Sequence, residues 1–318
     1  MAAARPPDVG DDLDDEILGA VLRARRAVHT DAAGSAWRWT VRELCAGCSS
    51  DTPLCRCSRC RRAAYCSAAC QRVHWSAHRA SCRAKGTGSA VRYVHTVWGL
   101  WDDCELPEAA RRSRSVAARL LPGSRLLVWD AAAVESVLGS EWLELWRALP
   151  RGVCRADVAR YALASSVGGL YLDADAELLQ PPPLGTWALL LLVEHKVPDV
   201  KYLGPREAPY LVRIAQFMFA SAPGHPFWAA VLELARERCS ELLAAGRVWS
   251  DDDVLWATGP DVVTTVYHEQ FHADPSVEVR MARDFVAHDC KGAWRRGADA
   301  AAAAGRRHAA HWDGREKK

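Results

Sequence analysis

Residues 155–175 read RADVARYALASSVGGLYLDAD, and this stretch decides the fold. Asp157 and Arg160 are three residues apart, so a helix places both on one face. Gly168-Gly169 ends that helix, because glycine accepts the left-handed conformation in which helices commonly stop. Leu170-Tyr171-Leu172 is a short buried strand, and Asp173 and Asp175 emerge at its end. Open α/β sheets bind their ligands at the carboxyl ends of strands. Two carboxylates two residues apart repel unless a cation joins them. A hard divalent ion carrying a substrate diphosphate suits that position, since it offsets charge developing on a departing nucleoside diphosphate.

Outward from this stretch, residues 91–295 alternate strand-like runs with helical stretches, the pattern of an α/β domain. The longest purely apolar run, Trp187 to Val193, reads as a buried strand followed by Glu194-His195. It is far shorter than the ~20 residues of a membrane helix, so no membrane span is expected. The opening MAAARPPDVGDDLDDE has acid where a signal peptide needs an apolar stretch, so no secretory or transit segment is expected. A cytoplasmic or nuclear location is the expectation. Half of the 318 residues are apolar, enough for a sizeable core. The net charge of +2 argues against binding nucleic acid along the whole length.

The chain divides into five segments. Residues 1–40 form an arm with a short amphipathic helix near Asp12–Val28. Residues 41–84 are rich in Cys and Arg. Residues 85–90 are a linker, residues 91–295 the α/β domain, and residues 296–318 a flexible tail. Asp251-Asp252-Asp253 reads as a solvated acidic loop, the alternative being an approach to the acceptor.

Eight of the 12 cysteines fall between Cys45 and Cys82. Their spacing is Cys45-x2-Cys48, Cys57-x2-Cys60, Cys66-x3-Cys70 and His78-x3-Cys82. Two intervening residues let a tight turn aim both sulfurs at one ion, and three place ligands at i and i+4 on a helix face. Eight ligands make two tetrahedral zinc sites, whose metal supplies folding free energy to a segment too short to bury a core. All ligand positions are used, so these are structural sites. Between Arg42 and Arg83 eight Arg face only two acids, so the zinc-loaded module stays cationic. No aromatic interleaves with these basic residues, and nucleic acid is not the expected partner.

The run Cys57-Ser-Arg-Cys60, Tyr65-Cys66, Cys70-Gln71, His74-Trp75, His78 and Cys82 resembles a MYND zinc finger. The resemblance implies interleaved sites, Cys45, Cys48, Cys66 and Cys70 on one zinc and Cys57, Cys60, His78 and Cys82 on the other. Cys55 is then a stray thiol or an alternative ligand, and His74 is structural. It also implies a docking module that binds short peptide motifs of partner proteins.

The DxD stretch resembles the retaining glycosyltransferases of family 32, the capsule-synthesis-like group. Tyr93-Val-His95-Thr-Val-Trp98, Pro122 to Asp130, Phe217 to Phe227, Ala257-Thr258-Gly259-Pro260 and His288 to Trp294 extend the likeness over roughly 91–295. It implies a GT-A (Rossmann-like) fold and transfer of a sugar from a nucleotide-sugar donor. Trp98 would stack on the donor base. Asp157 and Arg160 would bind sugar hydroxyls. Asp173 would touch the ribose or sugar, and Asp175 would hold Mn²⁺ or Mg²⁺. His288 and Trp294 would meet the metal or the diphosphate. Two departures stand out. Asp289 follows His288 where the family often has a second His, and Ala293 stands where it often has Ser. The alternative expectation is a catalytically inactive GT-A protein acting as a MYND-mediated adaptor.

Overall fold

The computed structural model describes residues 29–30, 36–37, 42–50, 55–57, 63–79, 82, 91–100, 106–183, 188–196 and 212–288. The expected helix near Asp12–Val28, the 85–90 linker, the 296–318 tail, Cys60, Asp289 and Trp294 lie outside them.

In chain order the strands are β1 (His29–Thr30), β2 (Ala36–Trp37), β3 (Arg42–Leu44), β4 (Cys55–Arg56), β5 (Ala64–Tyr65), β6 (Tyr93–Val97), β7 (Arg125–Trp129), β8 (Gly169–Leu172), β9 (Ala176–Leu178), β10 (Leu189–Lys196), β11 (Val212–Ile214), β12 (Met218–Ser221), β13 (Val277–Met281) and β14 (Val286–His288). The α-helices are α1 (Ala68–His78), α2 (Glu108–Leu120), α3 (Ala131–Glu135), α4 (Ser140–Ala148), α5 (Gly152–Ser166), α6 (Pro226–Ala244), α7 (Asp251–Ala257) and α8 (Pro260–Val266).

The central sheet is mixed and runs β11-β10-β12-β8-β6-β7-β3, with β13 parallel to β10. Its heart is parallel. β6 pairs with β7 on one side and β8 on the other. The chain leaves β6 in one direction for β7 and returns to its other side for β8, so strand order reverses at β6. That reversal is a topological switch point, and in open α/β sheets the ligand crevice lies there, beyond the carboxyl ends of the strands, here β6 and β8. Trp98 follows β6 and Asp173 follows β8, so both stand at that mouth.

Strands buried on both faces read as near-continuous apolar runs, and these do. In β10, Leu189, Leu191 and Val193 join one core cluster, while Leu190 and Leu192 join the other. The same alternation sends Tyr171 to one face of β8 and Leu170 and Leu172 to the opposite one. The Trp187–Val193 run is therefore a buried central strand from Leu189 onward. Helices α4 to α8 cover the first face.

The second face is covered by α2 and by the Cys-rich segment. Leu44, Cys45, Ala46, Cys57, Ala63, Tyr65 and Cys82 share its core with Ala117, Leu126 and Leu170. β3, which leads into Cys45, is an edge strand of the central sheet, antiparallel to β7. His74 of α1 bridges the two parts, with Nδ1 3.0 Å from the Tyr65 hydroxyl and Nε2 3.1 Å from the carbonyl of Ala118. Ser49 and Ser115 meet through their hydroxyls at 2.8 Å.

Candidate functional site

The DxD motif is a turn between β8 and β9. The Asp173 amide donates to the carbonyl of Phe217, just before β12, at 2.9 Å, and the Ala176 amide closes the turn on Asp173 O at 3.1 Å. β9 pairs with β14, setting His288 opposite Ala176. This pairing brings together residues more than a hundred positions apart. Nε2 of His288 lies 3.3 Å from Oδ1 of Asp175, and its ring stacks on Phe217 at 4.0 Å. One ligand atom each from Asp173, Asp175 and His288 lies within 4.8 Å of the others. Burial disfavours the charged imidazole. The hydrogen bond and charge of Asp175, with Asp173 behind it, outweigh burial and raise His288 above its ordinary pKa. Two carboxylates and one imidazole form an oxygen-rich set that fits Mn²⁺ or Mg²⁺.

Asp173 is held from both sides. Tyr171 donates to Oδ1 at 2.6 Å and Arg160 to Oδ2 at 3.1 Å. Arg160 also donates to Gln216 O at 3.0 Å, in the segment between β11 and β12, and its guanidinium lies over the Tyr171 ring. Arg160 forms an ion pair with Asp157 at 3.2 Å.

Asp157 and Arg160 thus share a helix face, but Asp157 is fully buried. Thr258 donates to its Oδ2 at 2.9 Å. Burial pushes its pKa up to about 7, although Arg160 and Thr258 pull it down. Its carboxylate meets Arg160 and Thr258. Trp98 is half-buried, its amide bonded to Trp129 O at 2.9 Å. The structure brings Asp173, Asp175, His288 and Arg160 into one network. Asp251 to Asp253 open helix α7, where Asp253 completes a capping box with Ser250 and pairs with Arg247. They are a helix start rather than the solvated loop expected from sequence.

Several members of the network escaped the sequence reading. Arg114 of α2, only 1% exposed, donates to the carbonyls of Leu172, Asp173 and Ala176 around the turn. Thr96 donates to Leu172 O and Ser113 to Ala176 O. Gln216 accepts from the Tyr161 hydroxyl. No sequence signal singles out Arg114, since Arg111, Arg112 and Arg119 share its helix.

In the Cys-rich segment, Cys45, Cys48, Cys66 and Cys70 converge within 4.8 Å, and Cys57, His78 and Cys82 form a second such group. Sulfurs of Cys48 and Cys66 are 3.6 Å apart, as are those of Cys57 and Cys82. Burial and the neighbouring thiols push the Cys48 thiol up to about 12. Crowded thiols of this kind ionise readily only around a cation, and a soft sulfur set suits Zn²⁺.

Residues 45–82 match the MYND finger family, and residues 107–190 match the family described as glycosyltransferase sugar-binding region containing DXD motif. The chain carries a MYND finger and a glycosyltransferase DXD region. Among solved structures, the chain is similar to PaToxG Glycosyltransferase, at 15% identity and a TM-score of 0.39, over 58% of this chain and 71% of that one. No curated protein matches at the level of sequence. The MYND finger match spans both sulfur groups, and the DXD match contains Asp173 and Asp175 but ends before Phe217 and His288. Among the described residues, no helix is long and apolar enough to cross a membrane.

Proposed function

We propose that this chain is a retaining glycosyltransferase that uses a nucleotide-sugar donor and a divalent cation, with the MYND finger as a docking surface for a protein partner. The observation that carries this reading is the convergence of Asp173, Asp175 and His288 within 4.8 Å at the carboxyl end of β8, inside and beside the DXD region.

In this reading Asp175 and His288 hold Mn²⁺ or Mg²⁺, which supplies charge neutralisation to the departing diphosphate. Asp173, oriented by Arg160 and Tyr171, receives the ribose or donor sugar. Trp98 stacks on the base, and Trp294 meets the diphosphate. Asp157 fixes Arg160 from beneath. The acceptor hydroxyl attacks the anomeric carbon on the face the diphosphate leaves, and its proton passes to the leaving diphosphate oxygen. The configuration is retained without a protein nucleophile. Two structural Zn²⁺ ions, with Cys60 as the eighth ligand, complete the finger.

One observation favours a second reading, that of an inactive GT-A protein acting as an adaptor. The Asp157 carboxylate, expected on the donor sugar, is fully buried against Arg160 and Thr258. A thermal-shift panel of UDP- and GDP-sugars with Mn²⁺ separates the two. Stabilisation by one donor that requires Mn²⁺ supports the enzyme and identifies the nucleotide. No stabilisation by any donor supports the adaptor.

A further inference from the structure

The DxD turn is fixed from behind by a cation whose partners among the described residues are carbonyls and hydroxyls. Arg114 lies in the middle of α2, and its neighbours on the buried face of that helix are small: Ala110, Ser113, Ala117 and Ala118. Its Nη1 donates to Leu172 O at 2.9 Å and to the Thr96 hydroxyl. Its Nη2 donates to Asp173 O at 2.9 Å and to Ala176 O at 2.8 Å. Ser113 adds a bond to Ala176 O at 2.6 Å, and Arg114 bonds to Ser113 in turn. One guanidinium therefore ties the residue before the motif, its first aspartate and the residue after it.

A buried guanidinium is costly, and an apolar side chain packs a helix against a sheet without that cost. Burial lowers the Arg114 pKa to about 10, partly offset by Tyr171, Asp173, Asp175 and Glu177, so the group stays charged at neutral pH. The planar fork satisfies several carbonyls at fixed angles, which a lysine's point charge does not.

We propose that Arg114 is a positioning residue for the metal-binding carboxylates. It holds the 172–176 backbone so that Asp175 faces His288 while Asp173 faces Arg160. The assignment rests on the DxD metal site proposed above.

The test is Mn²⁺ affinity, read by electron paramagnetic resonance of free Mn²⁺ with the full zinc-loaded chain well below its melting temperature. Wild type is compared with Asp175→Asn, Arg114→Lys, Arg114→Met and Ser113→Ala. Groups behind a metal's ligands typically contribute about 10- to 100-fold in affinity. The expected result is a loss of that order in Arg114→Met, a smaller loss in Arg114→Lys, and a loss of about threefold in Ser113→Ala, which keeps the buried charge. A purely structural Arg114 lowers the melting temperature of its variants but leaves Mn²⁺ affinity at the wild-type value, and that result overturns the inference. If Arg114→Met does not fold, Arg114→Lys and Ser113→Ala decide it the same way. Failure of wild type to bind Mn²⁺ more tightly than Asp175→Asn overturns the metal-site reading and this inference with it.

Discussion

Asp157 shows how one carboxylate can connect fold and site. Its folded-state pKa, raised by burial to about 7, lies above the unfolded value of 3.8. Folding therefore takes up a proton between these values. The stabilising contribution is full below about pH 4 and is lost as pH rises through about 7. Thermal melts of wild type and Asp157→Asn across pH 4–8 should show wild type losing ground to the variant between pH 4 and 7, by a few kcal/mol at most, with a constant difference above. A difference that does not change with pH removes the protonation argument. The pairing of Asp157 with Arg160 was legible from their spacing, because i and i+3 share a helix face. The burial of the pair was not, because it depends on Thr258 and Gln216 from elements far along the chain.

Two glycines set the geometry of the β8 element. Gly168 and Gly169 have φ of +64° and +98°. A Cβ on Gly169 would lie 2.7 Å from Tyr93 O of the paired strand, and one on Gly168 2.5 Å from the amide nitrogen of Pro223. Gly246, with φ of +63°, has open space around it. Gly169→Ala should therefore cost more stability than Gly246→Ala, beyond the roughly 1–3 kcal/mol of left-handed strain. Urea midpoints compare them, and equal shifts contradict the close approach. The helix–Gly-Gly–strand–DxD order was legible because each part is local and carries its own signal. The pairing of β9 with β14 was not: three-residue strands show too little alternation to predict a partner. His288 entered the sequence reading through family resemblance alone, and Arg114 did not enter it.

Across the whole molecule, the finger and the α/β domain share one face of the core, and β3 continues the central sheet. The paired ligand spacing marked the residues that cluster in the finger, but nothing in it marks Arg42–Leu44 as an edge strand or Ala118 as a partner of His74. Removing zinc should therefore move a single unfolding transition of the whole chain downward, by about 5 °C or more, in scanning calorimetry. Two transitions, with the upper one unmoved, mean that the finger is an independent unit. The DxD reading itself depends on chemistry at the mouth of the crevice. Its most direct test is Mn²⁺-dependent release of nucleoside diphosphate from UDP- and GDP-sugars, with the Asp173→Asn/Asp175→Asn double variant alongside. The account predicts release from one donor that needs Mn²⁺ and falls at least about 100-fold in the variant. Equal release by wild type and variant, or none from any donor by a folded, zinc-loaded chain, contradicts it.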